Sequence, residues 1–308
     1  MSGTELPEPP ELPRGIALAW GVAANPQRGP KREMSVERIV EAAVELADAE
    51  GIGAVSMAAV AARLGFTPMS LYRYVSAKDD LLLLMQEEAV GPPPEEFRAQ
   101  DGWRARLRTL FEAQARTYLE HPWLVALPIT GAPVTPNSSA WLDAALESLA
   151  ETPLAETERV AVALAIMGQA RWFGMVVAGY ESRARESGAS AQEVSEREAE
   201  LFDRVVTAEE FPALRRAIDA GVFTADDDPF RFAVERILDG VESYVEARSR
   251  GEERPTPSDP IDADLDLAAD KKVREAGRAV REAEKALRAA RKAQRQALRE
   301  ARERVRSS

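Results

Sequence analysis

The feature that most constrains the fold of this sequence is the close spacing of helix caps and helix stops between Ser56 and Val75. Ser56 is suited to cap a helix, and Gly65 is suited to end it about eight residues later. Thr67 then caps a second helix of about eight residues, with Pro68 in the first turn, where its missing N–H is harmless. Two short helices joined by a tight turn have the helix-turn-helix layout. The segment therefore predicts a compact helical unit.

The second of these helices separates into two faces at about 100° per residue. Leu71 and Val75 lie one turn apart and are predicted to point into the unit. Pro68 and Tyr74 fall on the flanks. The side chains on the solvent side are Met69, Ser70, Tyr72 and Arg73. Solubility alone does not require so aromatic a face, so we interpret it as a contact surface.

Helices on either side complete this unit. Ser35 is expected to cap the preceding helix, and Ser76, with Asp79 three residues on, is expected to cap the following one. We therefore assign residues 33–93 to one helix-turn-helix domain.

Composition divides the remaining chain into further segments. Residues 1–32 form an arm rich in Pro and Glu that ends in a basic cluster. Residues 103–250 are helical by pattern and lack strand-like alternation, so the predicted fold is all-α. A linker at 251–263 leads to a basic Ala/Arg/Glu-rich tail at 264–308, which is predicted to be helical or coiled-coil.

The segment beginning at Ser56 resembles the DNA-binding head of the TetR (tetracycline-repressor) family of bacterial transcriptional regulators. Its signature is the Leu-Tyr-x-Tyr-Val core at 71–75, with Lys78 just beyond it. The resemblance covers residues 33–93 and implies an all-α homodimer with an N-terminal head and a larger C-terminal ligand-binding domain. It also implies a regulator, usually a repressor, that leaves a palindromic operator when a small-molecule effector binds.

The resemblance implies a set of residues that contact DNA. They are Ser56, Met57, Ala58, Pro68, Met69, Ser70, Tyr72, Arg73, Tyr74 and Lys78. Ser56 and Lys78 fall at phosphate-contacting positions of the family. Ala58 has no group that hydrogen-bonds a base edge, and Met69 offers only apolar contact, so direct base readout is expected to be poor.

The unit at 103–250 resembles, more weakly, the C-terminal domain of the tetracycline-repressor-like branch. The resemblance lies in His121-Pro-Trp123-Leu and in the Pro136 to Trp141 segment. It implies the fold and not the drug. His121 itself is more typical of a cap or turn than of a ligand.

We predict a largely apolar ligand pocket in this unit, although ordinary core packing explains most of its residues individually. The candidate lining residues are Phe111, Gln114, Tyr118, Trp141, Gln169, Arg171 and Trp172. Gln169 and Arg171 lie inside a continuous apolar helix and need partners, which a ligand, a water or another subunit could supply. The expected effector is mostly apolar, with one acidic or hydrogen-bonding group to meet Arg171.

Two helices are predicted to form a dimer interface. The helix at 156–185 is apolar nearly all round between Val160 and Val177, which favours burial on both faces. Asp228 caps the final helix, and the resemblance implies a four-helix dimer bundle built from these two segments. The interface candidates are Val162, Val176, Val234, Ile237, Val241 and Tyr244.

Composition argues against most catalytic and metal sites. The sequence has no cysteine and one histidine, which excludes thiol chemistry and makes a Ser/His/Asp triad or a histidine metal site hard to assemble. We expect no enzymatic activity, no cofactor and no metal. The alternatives are a helical enzyme or carrier that retains a head, and a chromosome-organising protein that binds DNA broadly.

Charge is distributed unevenly along the chain. Residues 271–308 carry fourteen Lys/Arg and five Glu, a net charge of +9. Because the whole chain has a net charge of −12, residues 1–270 carry −21. Val273, Val280 and Leu287 recur every seven residues in this tail. It is predicted to be a solvated helix, a weak coiled coil or an attachment to DNA phosphates. The arm cluster Arg28, Lys31 and Arg32 is either solvated or reaches a neighbouring groove.

The stretch from Val160 to Tyr180 has the length of a membrane span. Gln169 and Arg171 lie at its centre, where they would cost several kcal/mol in lipid. We therefore predict a buried helix, and a cytoplasmic protein with no membrane contact.

Overall fold

A computed structural model describes residues 12–22, 34–129, 131–132, 134–224, 228–252, 254 and 270–306. All regular elements in these ranges are helical, which confirms the all-α prediction. The chain separates into two units, one over 1–253 and one over 254–308. The basic cluster Arg28, Lys31 and Arg32 lies outside the described residues, as does most of the 251–263 linker.

The α-helices of the first unit begin with a short helix and then form a head and a body. They are α1 (Arg14–Ala19), α2 (Val36–Glu50), α3 (Met57–Leu64), α4 (Pro68–Leu71), α5 (Lys78–Val90), α6 (Gly102–Glu120), α7 (Pro136–Ser148), α8 (Glu156–Ser187), α9 (Ala191–Val205), α10 (Pro212–Asp219) and α11 (Pro229–Ser249). The second unit contains α12 (Lys271–Arg306). Short 3-10 helices at Ile52–Ala54, Glu95–Ala99 and Pro122–Ala126 connect the longer elements.

The head, α2 to α5, begins and ends its helices largely where the sequence predicts. The Ser35 hydroxyl accepts a hydrogen bond from the Arg38 N–H at 3.3 Å, and Ser56 caps α3 in the same way. Gly65 ends α3 in the left-handed conformation, with φ +77°, which a residue without a Cβ adopts freely. These local signals therefore fix the helix-turn-helix geometry.

Two local predictions in the head are wrong. The recognition helix is α-helical only over Pro68–Leu71, because the chain turns tightly through Tyr72 and Tyr74, where the Tyr74 N–H donates to the Leu71 carbonyl at 2.9 Å. The N-cap of α5 is Ala77 and not Ser76. The Ser76 hydroxyl instead donates to the Asp80 carboxylate at 2.5 Å.

The body is held together by the close packing of α6 against α8. Gly174 on α8 is buried beneath Tyr118, and a Cβ at this glycine would lie 2.6 Å from the Tyr118 Cβ. Only a glycine allows the two helices to approach so closely at this point. The packing closes a core that α7 and α11 complete.

The predicted apolar stripe of α11 is buried, but its partner is the chain's own core. Val234 is fully buried there, and Ile237, Val241 and Tyr244 pack against the same cluster. The Tyr244 hydroxyl donates to Glu158 on α8 at 2.6 Å. Val234 therefore has no surface left for a dimer interface, whereas Ile237, Val241 and Tyr244 are half-buried and their interface role stays a prediction.

Within a single chain α8 is buried on one face only, so the burial of its other face stays a prediction. One side of α8 lies in the core, whereas Leu164, Trp172 and Met175 are exposed. By length and composition α8 would also pass as a membrane span, which alone is weak evidence. Its packing against the body and the hydrogen bonds of Arg171 are those of a core helix.

Two arginines on α6 tie α11 to the body. Arg104 lies 2.8 Å from a Glu235 carboxylate oxygen and 2.5 Å from Asp239, and Arg108 lies 2.5 Å from Glu235. The hydrogen bonds from Arg108 and Arg104 lower the pKa of Glu235 to about 2. The ionised carboxylate is therefore stabilised in the folded chain.

This shift predicts an acid-sensitive contribution to stability. Because the folded pKa of Glu235 lies below its ordinary value of 4.5, the contribution is complete above about pH 4.5 and is lost as the pH falls towards 2. We expect Glu235→Gln to flatten the decline of unfolding free energy across this window. Urea titrations between pH 6 and pH 3 measure it, with the more exposed Glu246→Gln as the control; parallel declines in wild type and Glu235→Gln would contradict the prediction.

Candidate nucleic-acid interface and ligand cavity

The solvent side of the recognition segment is exposed as the sequence predicts. Met69 is 72% exposed and Tyr72 is 45% exposed, whereas Leu71 and Val75 are fully buried. Arg73 is exposed as well. The buried pair anchors the segment, so the outward side chains are held on a rigid base.

The flanks of this surface carry the polar positions. The Ser70 hydroxyl donates to the Thr67 carbonyl at 2.6 Å, and its oxygen lies 3.3 Å from the Thr67 hydroxyl, which can donate to it. Pro68 is exposed and Tyr74 is half-buried. Lys78 is exposed at the first residue of α5, where its cation is suited to a phosphate.

Of the DNA-contact candidates at the start of α3, one is exposed and one is buried. Ala58 is exposed, and the Ser56 hydroxyl accepts a hydrogen bond from the Ala59 N–H at 3.1 Å. Met57 is only 5% exposed and belongs to the head's hydrophobic core. Its side chain therefore cannot contact DNA, and the prediction that it does so is wrong.

A cavity of about 330 Å³ lies in the body. Of the predicted pocket residues, Gln114, Tyr118, Trp141 and Arg171 line it. Its other walls are mostly apolar, and they come from α5, α7, α8 and the segment after Pro122–Ala126. The cavity thus combines an apolar lining with a few polar groups, as small-molecule sites do.

The polar groups of this cavity differ in their hydrogen-bond partners and charge. Arg171 donates hydrogen bonds to the Val125 carbonyl at 3.0 Å and to the Leu127 carbonyl at 2.6 Å. Burial raises the pKa of Tyr118, against the opposing effect of Arg171, so the phenol stays neutral. The Trp141 indole N–H donates to the Gly91 carbonyl at 3.0 Å, so this ring offers an apolar face.

Three predicted pocket residues lie elsewhere. Phe111 is buried in the body core and borders a different groove, beside Phe230. Gln169 is half-buried on α8 and does not line the cavity, and Trp172 is 53% exposed. Helical spacing explains the error, since residues 169 and 172 lie on other sides of α8 than Arg171.

That the segment after α6 contacts both the head and the cavity was not predicted from the sequence. Residues 122–127, which follow α6, insert Trp123, Leu124 and Leu127 into the hydrophobic core of the head. Leu127 also lines the ligand cavity. The His121-Pro-Trp123-Leu motif and the apolar run after Pro122 mark this segment in the sequence, but neither indicates contact with the head.

A carboxylate of the head anchors this segment. One oxygen of Asp48, near the end of α2, accepts the Trp123 indole N–H at 2.7 Å and lies 2.8 Å from His121 Nδ1. His121 therefore joins the body to the head. Among the described residues there is no group of His, Cys, Asp and Glu that could hold a metal ion.

Fold and site together define a helix-turn-helix DNA-binding protein with a ligand cavity, and the comparisons identify its family. Residues 39–85 match the family of bacterial regulatory proteins called the tetR family, and residues 95–245 match the tetracyclin repressor-like C-terminal domain. The HTH-type transcriptional repressor DrrR1 of Streptomyces coeruleorubidus is 32% identical over 253 residues, covering 82% of this chain and 93% of that protein. The chain belongs to the TetR family of DNA-binding transcriptional regulators.

Other similarities agree with this assignment. An HTH-type transcriptional regulator of Saccharopolyspora erythraea is 30% identical over 200 residues, covering 63% of this chain and 76% of that protein. The crystal structure of apo ActR from Streptomyces coelicolor has a TM-score of 0.54 at 21% identity, covering 69% of this chain and 98% of that one. The ActR complex with actinorhodin has the same score and identity and covers 71% and 97%. These two structures show the shared fold.

The exposed recognition surface predicts separable effects of mutation. We expect Tyr72→Ala and Lys78→Ala each to weaken DNA binding by about tenfold or more, because each removes a contact worth about 1–3 kcal/mol. The loss from Lys78→Ala should be similar for all DNA sequences, since a phosphate carries no sequence information. Gel-shift titrations on duplexes selected from a random pool measure both variants.

The control for this prediction is Lys78→Arg, which keeps the cation and should retain binding. Thermal unfolding of all three variants should match the wild type, because neither side chain is buried. If Tyr72→Ala and Lys78→Ala bound DNA with wild-type affinity, the prediction that these residues contact DNA would be wrong.

Proposed function

We propose that this regulator is a repressor that binds a palindromic operator as a homodimer and leaves it when a small molecule enters the body cavity. The observation that carries the proposal is the shared segment 122–127, since Leu127 belongs both to the cavity wall and to the head core. The name of the relative DrrR1 supports the repressor role. The proposed function has no catalytic step, and the protein acts in the cytoplasm, where its DNA is.

The route from cavity to head runs through hydrogen bonds. A ligand group that takes the donors of Arg171 competes with the Val125 and Leu127 carbonyls for them. Weakening these bonds shifts the segment that carries Trp123, and Trp123 is bonded to Asp48 on α2. Because Trp123 fills part of the head core, its displacement changes how the head is held on the body.

The cavity lining defines the class of effector. Leu142 and Met167 supply apolar surface, and Gln114, Ser138 and Arg171 supply hydrogen-bonding groups. A volume of about 330 Å³ suits a small, mostly apolar or aromatic molecule. Its acidic or hydrogen-bond-accepting group would meet Arg171, the only Lys or Arg among the described lining residues.

The exposed side of α8 supports the proposed dimer. Leu164, Gly168, Trp172 and Met175 recur at helical spacing and form an apolar stripe on that side, of which Leu164 and Gly168 also border the cavity. Phe232 on α11 is likewise 65% exposed. A second copy of the chain is the proposed partner of this stripe, because reading a palindromic operator requires two heads.

The experiment that tests the proposed function begins with selection of bound sequences from a random DNA pool. We expect a recovered palindrome, and we expect aromatic carboxylic acids or phenols from a compound library to release the protein from it. Arg171→Met should bind the palindrome more weakly than the wild type even without compound, and compound should release it little further, because it already lacks the hydrogen bonds that the ligand is proposed to break. A selected site without symmetry, or an Arg171→Met variant that binds the operator and is released by compound like the wild type, would contradict the proposal.

The dimer stripe is tested separately by charge insertion. We expect Trp172→Glu to convert the dimer into folded monomers with DNA affinity at least tenfold weaker, because it places a charge in a desolvated interface. Leu201→Glu on α9 is the matched control, since Leu201 is 50% exposed and lies outside the stripe. Light scattering measures mass; a monomeric wild type or a dimeric Trp172→Glu would refute the assignment.

A further inference from the structure

The second unit of the chain is a single long helix, α12, which the proposed function does not use. It extends over Lys271–Arg306, and its 36 residues give a length of about 54 Å. Apart from Gly277, the residues from 271 to 291 are exposed. Val273, Val280 and Leu287, the largest apolar side chains of this stretch, are each about half exposed. The helix therefore has unused surface along its length.

The charged residues of α12 lie mainly on one side. Between residues 271 and 291 there are eight Lys and Arg, and six of them fall within an arc of about 100° when successive residues are placed about 100° apart. These six, here called the basic face, are Lys271, Arg274, Arg278, Arg281, Lys285 and Arg288. Composition alone does not require this segregation, since Glu residues are also present in the helix.

The opposite side of the helix is apolar but shallow. Val273, Ala276, Val280, Ala283, Leu287 and Ala290 lie in a stripe about 100° wide that is centred roughly opposite the basic face. Alanine occupies every second place in this stripe. Such small side chains bury little area, so a helix pair formed through them would be weak.

We propose that the basic face of α12 binds the phosphate backbone of double-stranded DNA, as a second contact independent of the recognition surface. Six cations spread over eighteen residues lie about 5 Å apart along the helix axis on average. Duplex DNA carries a negative charge about every 1.7 Å, so each cation meets a phosphate without exact registration. The contact is consequently independent of DNA sequence.

The charge of the remaining chain supports this assignment. Residues 1–270 carry a net −21, which repels a polyanion at low salt. The net +9 of residues 271–308 offsets part of that repulsion and raises the rate of encounter with DNA. The acidic part of this chain and the basic helix thus have opposite effects on DNA binding.

Other occupants fit less well. Helices that lie in a membrane surface present Trp, Phe or Leu on their apolar side, whereas this stripe has no aromatic residue and mostly alanine. Pairing with a second α12 would use the apolar stripe and leave the basic face without a role. DNA phosphates need the segregated charge alone and no apolar contact, so DNA fits this helix best.

The test is the salt dependence of binding by the full-length chain to a 40-base-pair duplex of random sequence. The variant carries Arg274→Gln, Arg278→Gln, Arg281→Gln, Lys285→Gln and Arg288→Gln, and glutamine preserves helix propensity. Each phosphate contact contributes about 0.9 to the slope of log K against log salt. We expect the slope of the variant to be shallower than that of the wild type by about 3–4.

The matched control keeps every charge and changes the apolar stripe, with Val273→Ser, Val280→Ser and Leu287→Ser. It should retain the wild-type slope. An unchanged slope in the glutamine variant would overturn the proposal. If the serine variant then also had a lower native mass than the wild type, the helix would be assigned to self-association. Because the duplex is random, the result does not depend on the operator or the effector.

Discussion

The structure depends on one carboxylate, that of Asp48. It stands near the end of α2, where it receives the Trp123 indole N–H and faces His121 Nδ1 across 2.8 Å. A partly buried carboxylate with two such partners is strongly favoured over one that is left without them. This interaction fixes the end of α6 and the following segment against the head.

As a consequence, the head and the body share core residues and are not joined only by a linker. Trp123 and Leu124 are counted among the head's own core residues, although they follow the first long helix of the body. On the other side of the same segment, Arg171 binds two of its carbonyls and borders the ligand cavity. The proposed coupling from cavity to head would use these packed side chains and hydrogen bonds, which are the physical means of coupling distant sites.

Local features of the fold were predictable from the sequence, and non-local ones were not. The caps at Ser35 and Ser56 and the burial of Leu71 and Val75 depend on a few neighbouring residues, and they were confirmed. The α11 stripe was correctly predicted to be apolar and packed, but its Val234 fills the chain's own core and not a dimer interface. Which surface covers an apolar face is decided by chain topology, and periodicity contains no information about it.

The candidate site shows the same division. Tyr72 and Met69 are exposed as predicted, because a short helix with a buried anchor has only one outward side. Met57 was wrong for DNA contact, since a family position names a residue without stating which way its side chain points. The role of Asp48 was missed because its partners follow more than seventy positions later in the chain.

The central claim is that residues 121–127 couple the cavity to the head, and a double-mutant cycle tests it most directly. The measurement is the affinity of wild type, Asp48→Asn, Arg171→Met and the double variant for one selected operator. If the segment couples the two sites, the effects of the two substitutions are non-additive, with an interaction free energy of about 0.5–3 kcal/mol. Additive effects would contradict the account.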